Sequence, residues 1–155
     1  MTHSDLVRVL FHLEAGQESA TERLWAESIG GGRYRLRNSP FFAFGVSAGD
    51  VVFAKDIEGE TTFAGVSIYG GHSTYRLKVV PGGDAEFRLY WTALQQAGCS
   101  YEQGQVLAVD VPTGADIYEI YAQLEAGEAA GVWEFEEGHC GHPLRDDAVA
   151  IEDAT

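Results

Sequence analysis

The segment Gly70-Gly71-His72-Ser73-Thr74-Tyr75-Arg76 gathers the side chains best suited to chemistry in this chain. Glycines ahead of His72 let a ligand approach the backbone. The hydroxyls of Ser73 and Thr74 and the guanidinium of Arg76 are good donors to an anion, so the corner suits a phosphate or an oxyanion. A nucleophilic reading would have Ser73 activated by His72, with a carboxylate such as Asp50 orienting the imidazole. Side chains adjacent in sequence usually point apart, however. A turn feeding a strand accounts for the segment without any ligand, and catalysis ranks below both readings.

Three further groupings are weaker. His139, Cys140 and His142 carry imidazole and thiol ligands that suit zinc, but a structural site wants four ligands and no fourth is indicated. Arg33, Arg35 and Arg37 make a small basic stripe that pairs more readily with nearby acids than with a ligand. Trp25, Phe41, Phe42 and Phe44 are an aromatic set of the kind that usually fills a core. The sequence reads without a P-loop, a GxGxxG fingerprint or a nucleophile elbow. Ligand-binding candidates are therefore His72, Ser73, Thr74, Arg76, Asp50, Asn38 and Trp25, with no catalytic residue assigned and no cofactor expected.

Charge narrows the partners. Among 155 residues, Lys and Arg number 10 against 24 Asp and Glu, a formal charge of -14. Such a chain repels phosphate backbones and anionic membranes, which argues against nucleic-acid and membrane binding. It would associate faster with a basic partner, although plain solubility is the readier explanation of the charge. Two cysteines without a CxxC argue against a disulfide framework and fit a reducing compartment. The start, MTHSDLVRVLFHLEAG, lacks a signal-peptide pattern, and no apolar run is long enough for a membrane span, so a cytoplasmic protein is expected.

The elements that must position these residues fall into two sets. Residues 5–13, 22–29, 33–37, 51–57 and 61–70 read as short strands between Gly-rich turns, which predicts a small barrel or a strongly curved sheet over residues 1–71. Within them, Leu24 and Ala26 face one way and Trp25 and Glu27 the other. Pro40 breaks the ladder, and the aromatic loop behind it is expected to plug a barrel end. Residues 72–138 read as strand, helix, strand, strand, helix, strand. Phe87, Tyr90, Trp91 and Leu94 repeat at helical spacing, as do Ile117, Ile120, Tyr121 and Leu124. Gly98 ends the first helix, and Thr113 with Asp116 suggests a capping box for the second. In this order the first and last strands lie side by side, placing Arg76 and Lys78 near Glu134 and Glu136 on the face away from the helices. Residues 139–155 have lost periodicity and read as an acidic, flexible tail.

Several pieces together resemble a bacterial family of domains of unknown function, DUF4265. They are Arg23-Leu24-Trp25-Ala26, Tyr34-x-Leu36-x-Asn38-x-Pro40-Phe41-Phe42, Ala48-Gly49-Asp50-Val51-Val52, Gly71-His72-Ser73-Thr74-x-Arg76, Gly98-Cys99 and Ala108-Val109-Asp110-Val111-Pro112. They span residues 7–136 in family order. The resemblance implies no activity.

These readings predict an α+β protein: an N-terminal β-barrel-like half packed on a C-terminal ferredoxin-like βαββαβ half. The expected function is that of a non-catalytic acidic binding protein for a basic protein partner, in the manner of an immunity protein or antitoxin. The alternative is an enzyme or small-ligand sensor with an anion-recognising site where the halves meet.

Overall fold

The computed structural model describes residues 6–13 and 21–145. Five strands, β1 (Leu6–His12), β2 (Thr21–Gly30), β3 (Arg33–Leu36), β4 (Val51–Ile57) and β5 (Glu60–Ile68), close into a barrel. Neighbours run antiparallel, except that β1 meets β5 in parallel at Leu10 and Thr62. Alternation sets the core: Val9, Phe11, Leu24, Ala26, Leu36, Val52 and Ala54 point inward and are buried. Trp25 points out and is 45% exposed, beneath the guanidinium of Arg8.

The loop after β3 does enter the barrel core, but not through its phenylalanines. Ala43 and Val46 are the residues buried there, whereas Phe44 is half exposed. The loop is held by Glu22 of β2, whose carboxylate accepts backbone N–H groups from Phe41, Phe42 and Ala43 at 2.6, 3.0 and 2.9 Å. A carboxylate satisfying three donors is a strong local clamp.

The second half runs β6 (Ser73–Val79), α1 (Asp84–Gln96), β7 (Ser100–Gln103), β8 (Leu107–Val111), α2 (Ile117–Ala129) and β9 (Trp133–His139). The four strands form an antiparallel sheet in the order β7-β8-β6-β9. Tyr75, Leu77, Val109, Val111, Trp91, Leu94, Ile120, Leu124 and Trp133 make its core. Two glycines shape this core. Gly98, at φ +101°, ends α1 in a conformation that costs other residues strain. Gly127 lies against Trp133, where a Cβ would come within 2.3 Å of the indole; the ring's Nε1 donates to the Leu124 carbonyl at 3.0 Å.

The capping expectation needs correction. Asp116, not Thr113, caps α2, and its side chain accepts from the N–H groups of Tyr118 and Glu119. A carboxylate at the N-cap also complements the positive end of the helix. The expected tail also begins too early. His139 ends β9 and His142 is buried, so the chain stays docked as far as His142, while residues 143–145 are exposed; residues 146–155 lie outside the described residues. No helix among the described residues is long and apolar enough to cross a membrane.

Candidate functional site

Two places concentrate polar chemistry. The first is the seam between barrel and sheet, where most of the sequence-predicted residues meet. Ser73 and Thr74 are completely buried. The Ser73 hydroxyl contacts His142 Nδ1 at 2.7 Å and accepts from the Gly141 N–H at 2.9 Å. His142 Nε2 lies 2.7 Å from the Pro112 carbonyl, which can only accept. Nε2 therefore carries a proton, and in the neutral imidazole Nδ1 accepts from Ser73. Gly141 is required here by close approach, since a Cβ would come within 2.2 Å of the His72 carbonyl oxygen.

A second chain runs beside it. Thr74 Oγ1 donates to Ser47 Oγ at 2.7 Å, and the Ser47 hydroxyl reaches His139 Nδ1 at 2.9 Å. His139 faces the barrel because of a bulge. Tyr75 pairs with Glu137 but Thr74 pairs with His139, so Gly138 is an extra residue that resets which side the strand presents. Tyr69 stacks on the His139 ring with centroids 5.1 Å apart.

Asp50 is buried and spent on backbone, accepting from Ser47 N at 2.8 Å and Gly70 N at 2.7 Å. It therefore does not orient His72. That imidazole is held by Asp110 instead, with Nδ1 to Oδ1 at 2.9 Å. Arg76 is 3% exposed. Its Nε donates to Glu136 Oε2 at 2.9 Å, and its Nη1 donates to the carbonyls of Ala43 at 2.8 Å and Pro40 at 3.2 Å. The Phe44 ring lies 4.6 Å from its guanidinium carbon. Gly138 makes the room: a Cβ there would meet Arg76 Nη1 at 2.8 Å. Asn38 stands apart, accepting from Trp25 N at 2.7 Å and approaching Glu102 at 3.4 Å. Thus the structure brings Ser73, Thr74, Arg76 and Asp50 into one seam as partnered, buried groups. His72 sits at its rim, and Asn38 and Trp25 meet each other elsewhere.

Sequence reasoning missed Ser47, the pairing of His142 with Ser73 and the pairing of Asp110 with His72. One signal was present, and it corrects the reading that no nucleophile elbow occurs: Gly45-Val46-Ser47-Ala48-Gly49 has that G-x-S-x-G spacing. The context that would give it meaning is absent, because the motif lies in a loop leading into β4 rather than on a strand-to-helix turn. Ser47 is fully buried and its oxygen already accepts from Thr74. The metal candidates are similarly engaged. Both nitrogens of His142 are bonded, His139 Nδ1 faces Ser47, and Cys140 Sγ lies 3.7 Å from the His142 carbonyl. Among the described residues, no group of three or more His, Cys, Asp or Glu is arranged to hold a metal.

The second place is a groove of about 340 Å³ on the opposite side of the sheet, between α2, β9 and the segment behind it. Its walls include Ile117, Tyr121, Ala122, Cys140 and Leu144, with Glu125 and Glu137 beside them. Tyr75 and Tyr121 meet edge-on at its base, and Phe135 packs against both. Of the apolar stripe read from spacing, Ile117, Ile120 and Leu124 are buried in the core, whereas Tyr121 is 40% exposed, beside Leu144 at 62%. The Tyr75 hydroxyl donates to Glu137 Oε1 at 3.0 Å. Burial, reinforced by the charge of Glu137, raises the Tyr75 pKa well above the ordinary phenol value, so it stays a donor at neutral pH. Burial likewise pushes the Cys99 thiol up to about 12, with the Asp110 charge adding to it.

The charge is unevenly shared. Residues 72–155 hold 15 of the 24 acids and 4 of the 10 Lys and Arg. On α2, Glu119, Glu125 and Glu128 are exposed and no Lys or Arg occurs.

Comparison with known proteins places this architecture. No curated protein matches the chain. Its fold is similar to that of a solved structure described as a novel crystal structure of a hypothetical protein from Neisseria gonorrhoeae. The TM-score is 0.74 and the identity 16%, and the match covers 88% of this chain and 98% of that one. That likeness concerns the fold alone. The profile of the family called Domain of unknown function (DUF4265) matches residues 22–135, and the chain belongs to that family.

Proposed function

We propose that this chain is a non-catalytic, acidic binding protein of the cytoplasm, and that it engages a basic protein partner through its C-terminal half, as immunity proteins and antitoxins do. The reading takes that half as a ferredoxin-like unit, in keeping with its element order and the strand order β7-β8-β6-β9. The carrying observation is the charge distribution: most of the -14 lies in residues 72–155, and α2 exposes Glu119, Glu125 and Glu128, while Arg145, the cation that reaches this helix, stacks on Tyr118 and forms no salt bridge among the described residues. A one-signed surface steers an oppositely charged partner during encounter. The anion-site alternative loses support from the seam itself. Ser73, Thr74, Asp50 and Arg76 have buried partners within the protein, so they have little left to offer a ligand.

The test is recovery of a partner from the native cell followed by association kinetics against salt. A basic partner is expected, with an association rate falling about tenfold or more between low and high salt, and falling similarly in Glu119→Lys/Glu128→Lys. A rate indifferent to both, or an acidic partner, would contradict the proposal.

A further inference from the structure

The groove between α2 and β9 combines features that are unusual on one surface. Its base is aromatic, from Tyr75 and Tyr121; its walls are aliphatic, from Ile117, Ala122 and Leu144; and carboxylates stand beside it at Glu125 and Glu137. Glu125 and Glu137 are exposed, and among the described residues no salt bridge engages either. Glu137 is oriented by the Tyr75 hydroxyl through Oε1, leaving Oε2 for a further donor. An acidic or purely apolar occupant would leave these two charges without a counterion next to low-dielectric walls. A long side chain ending in a cation would satisfy all three features: its methylene stem on the aliphatic walls, its charge near the ring faces, and its donors on the carboxylates. A guanidinium does this best, because it is planar, weakly hydrated, and offers several donors at once.

We infer that this groove is the recognition pocket for an arginine side chain presented by the basic partner. The inference rests on the partner reading above and deepens it by naming the residue recognised. Electrostatic steering by the acidic half brings the partner in, and the groove then selects one side chain. The chain's own Arg145 stacks on Tyr118 at the edge of the groove but forms no salt bridge with Glu125 or Glu137, and the residues after it are a poor occupant by composition, since Asp146, Asp147, Glu152 and Asp153 would be set against those carboxylates.

The probe is the pentapeptide acetyl-Gly-Gly-Arg-Gly-Gly-amide, compared with versions carrying lysine, citrulline or norleucine and titrated into the full chain. Arginine is expected to bind best, lysine a few-fold more weakly, and citrulline, which keeps the shape and loses the charge, at least tenfold more weakly. Glu125→Gln and Glu137→Gln should each weaken the arginine peptide by about three- to tenfold. Glu86→Gln, an exposed acid on α1, should change it less than twofold. Equal binding of citrulline or norleucine would overturn the proposal and point to an apolar segment as the occupant, as would indifference to both groove variants. If the groove variants fail to matter while the native partner still associates with a salt-dependent rate, the arginine pocket falls and the acidic docking surface stands. Loss of the salt dependence as well removes both.

Discussion

The seam and the groove contain similar residue types and opposite physics. In the seam, two serines, a threonine, His142, a carboxylate and an arginine are buried and bonded to partners from within the chain. In the groove, tyrosines and glutamates surround open space, and the two carboxylates keep unused capacity. A cluster of reactive residue types is therefore weak evidence for a site. What separates structure from function is whether the polar groups have already spent their bonds.

The comparison can be broken most forcefully at Arg76. Arg76→Met would leave the Ala43 and Pro40 carbonyls and Glu136 without their donor, so urea unfolding should show a loss of about 3–5 kcal/mol. Retention of full stability would mean that the seam does not hold the halves together. Gly138→Ala should cost about 1–3 kcal/mol in the same assay, because its methyl group would collide with the guanidinium. Ser73→Ala should cost about 1–3 kcal/mol by leaving His142 Nδ1 and the Gly141 N–H unpaired. By contrast, Glu125→Gln and Glu137→Gln should shift stability by less than about 0.5 kcal/mol while weakening arginine binding.

Alkaline titration sharpens the same contrast within the core. Burial pushes the Cys99 thiol up to about 12, whereas in the unfolded chain it releases its proton in the ordinary thiol range. Between those limits the unfolded chain binds fewer protons, so stability falls as pH rises. Cys99→Ala should flatten that slope without altering the behaviour below pH 8. Alkylation at neutral pH should accordingly label Cys140, in the groove wall, and spare buried Cys99. Preferential labelling of Cys99 would show that the helical core opens readily.

Much of the fold was legible because it depends on periodicity. Leu24 against Trp25, and Trp91 with Leu94, sort to inside and outside as their spacing demands. Arg76 and Lys78 face Glu136 and Glu134 in register, as the strand order requires. The site was less legible because its contacts are long-range. His142 reaches Ser73 across 69 positions, and Ser47 meets His139 across 92. No local pattern encodes such meetings, and adjacency wrongly suggested His72 for Ser73. Glu22 gave no signal at all, since its three acceptor contacts depend on barrel closure. The groove was hidden for another reason. Tyr121 keeps helical spacing with the core residues, yet α2 rolls it partly into solvent beside Leu144.

Amide chemical-shift mapping with the arginine pentapeptide places the contact directly. Progressive shifts confined to residues 117–125 and 137–144, with the amides of 47–50 and 72–76 unmoved, are the predicted result. Shifts centred on the seam, or spread without focus across the acidic face, would contradict the assignment of structure to one region and recognition to the other.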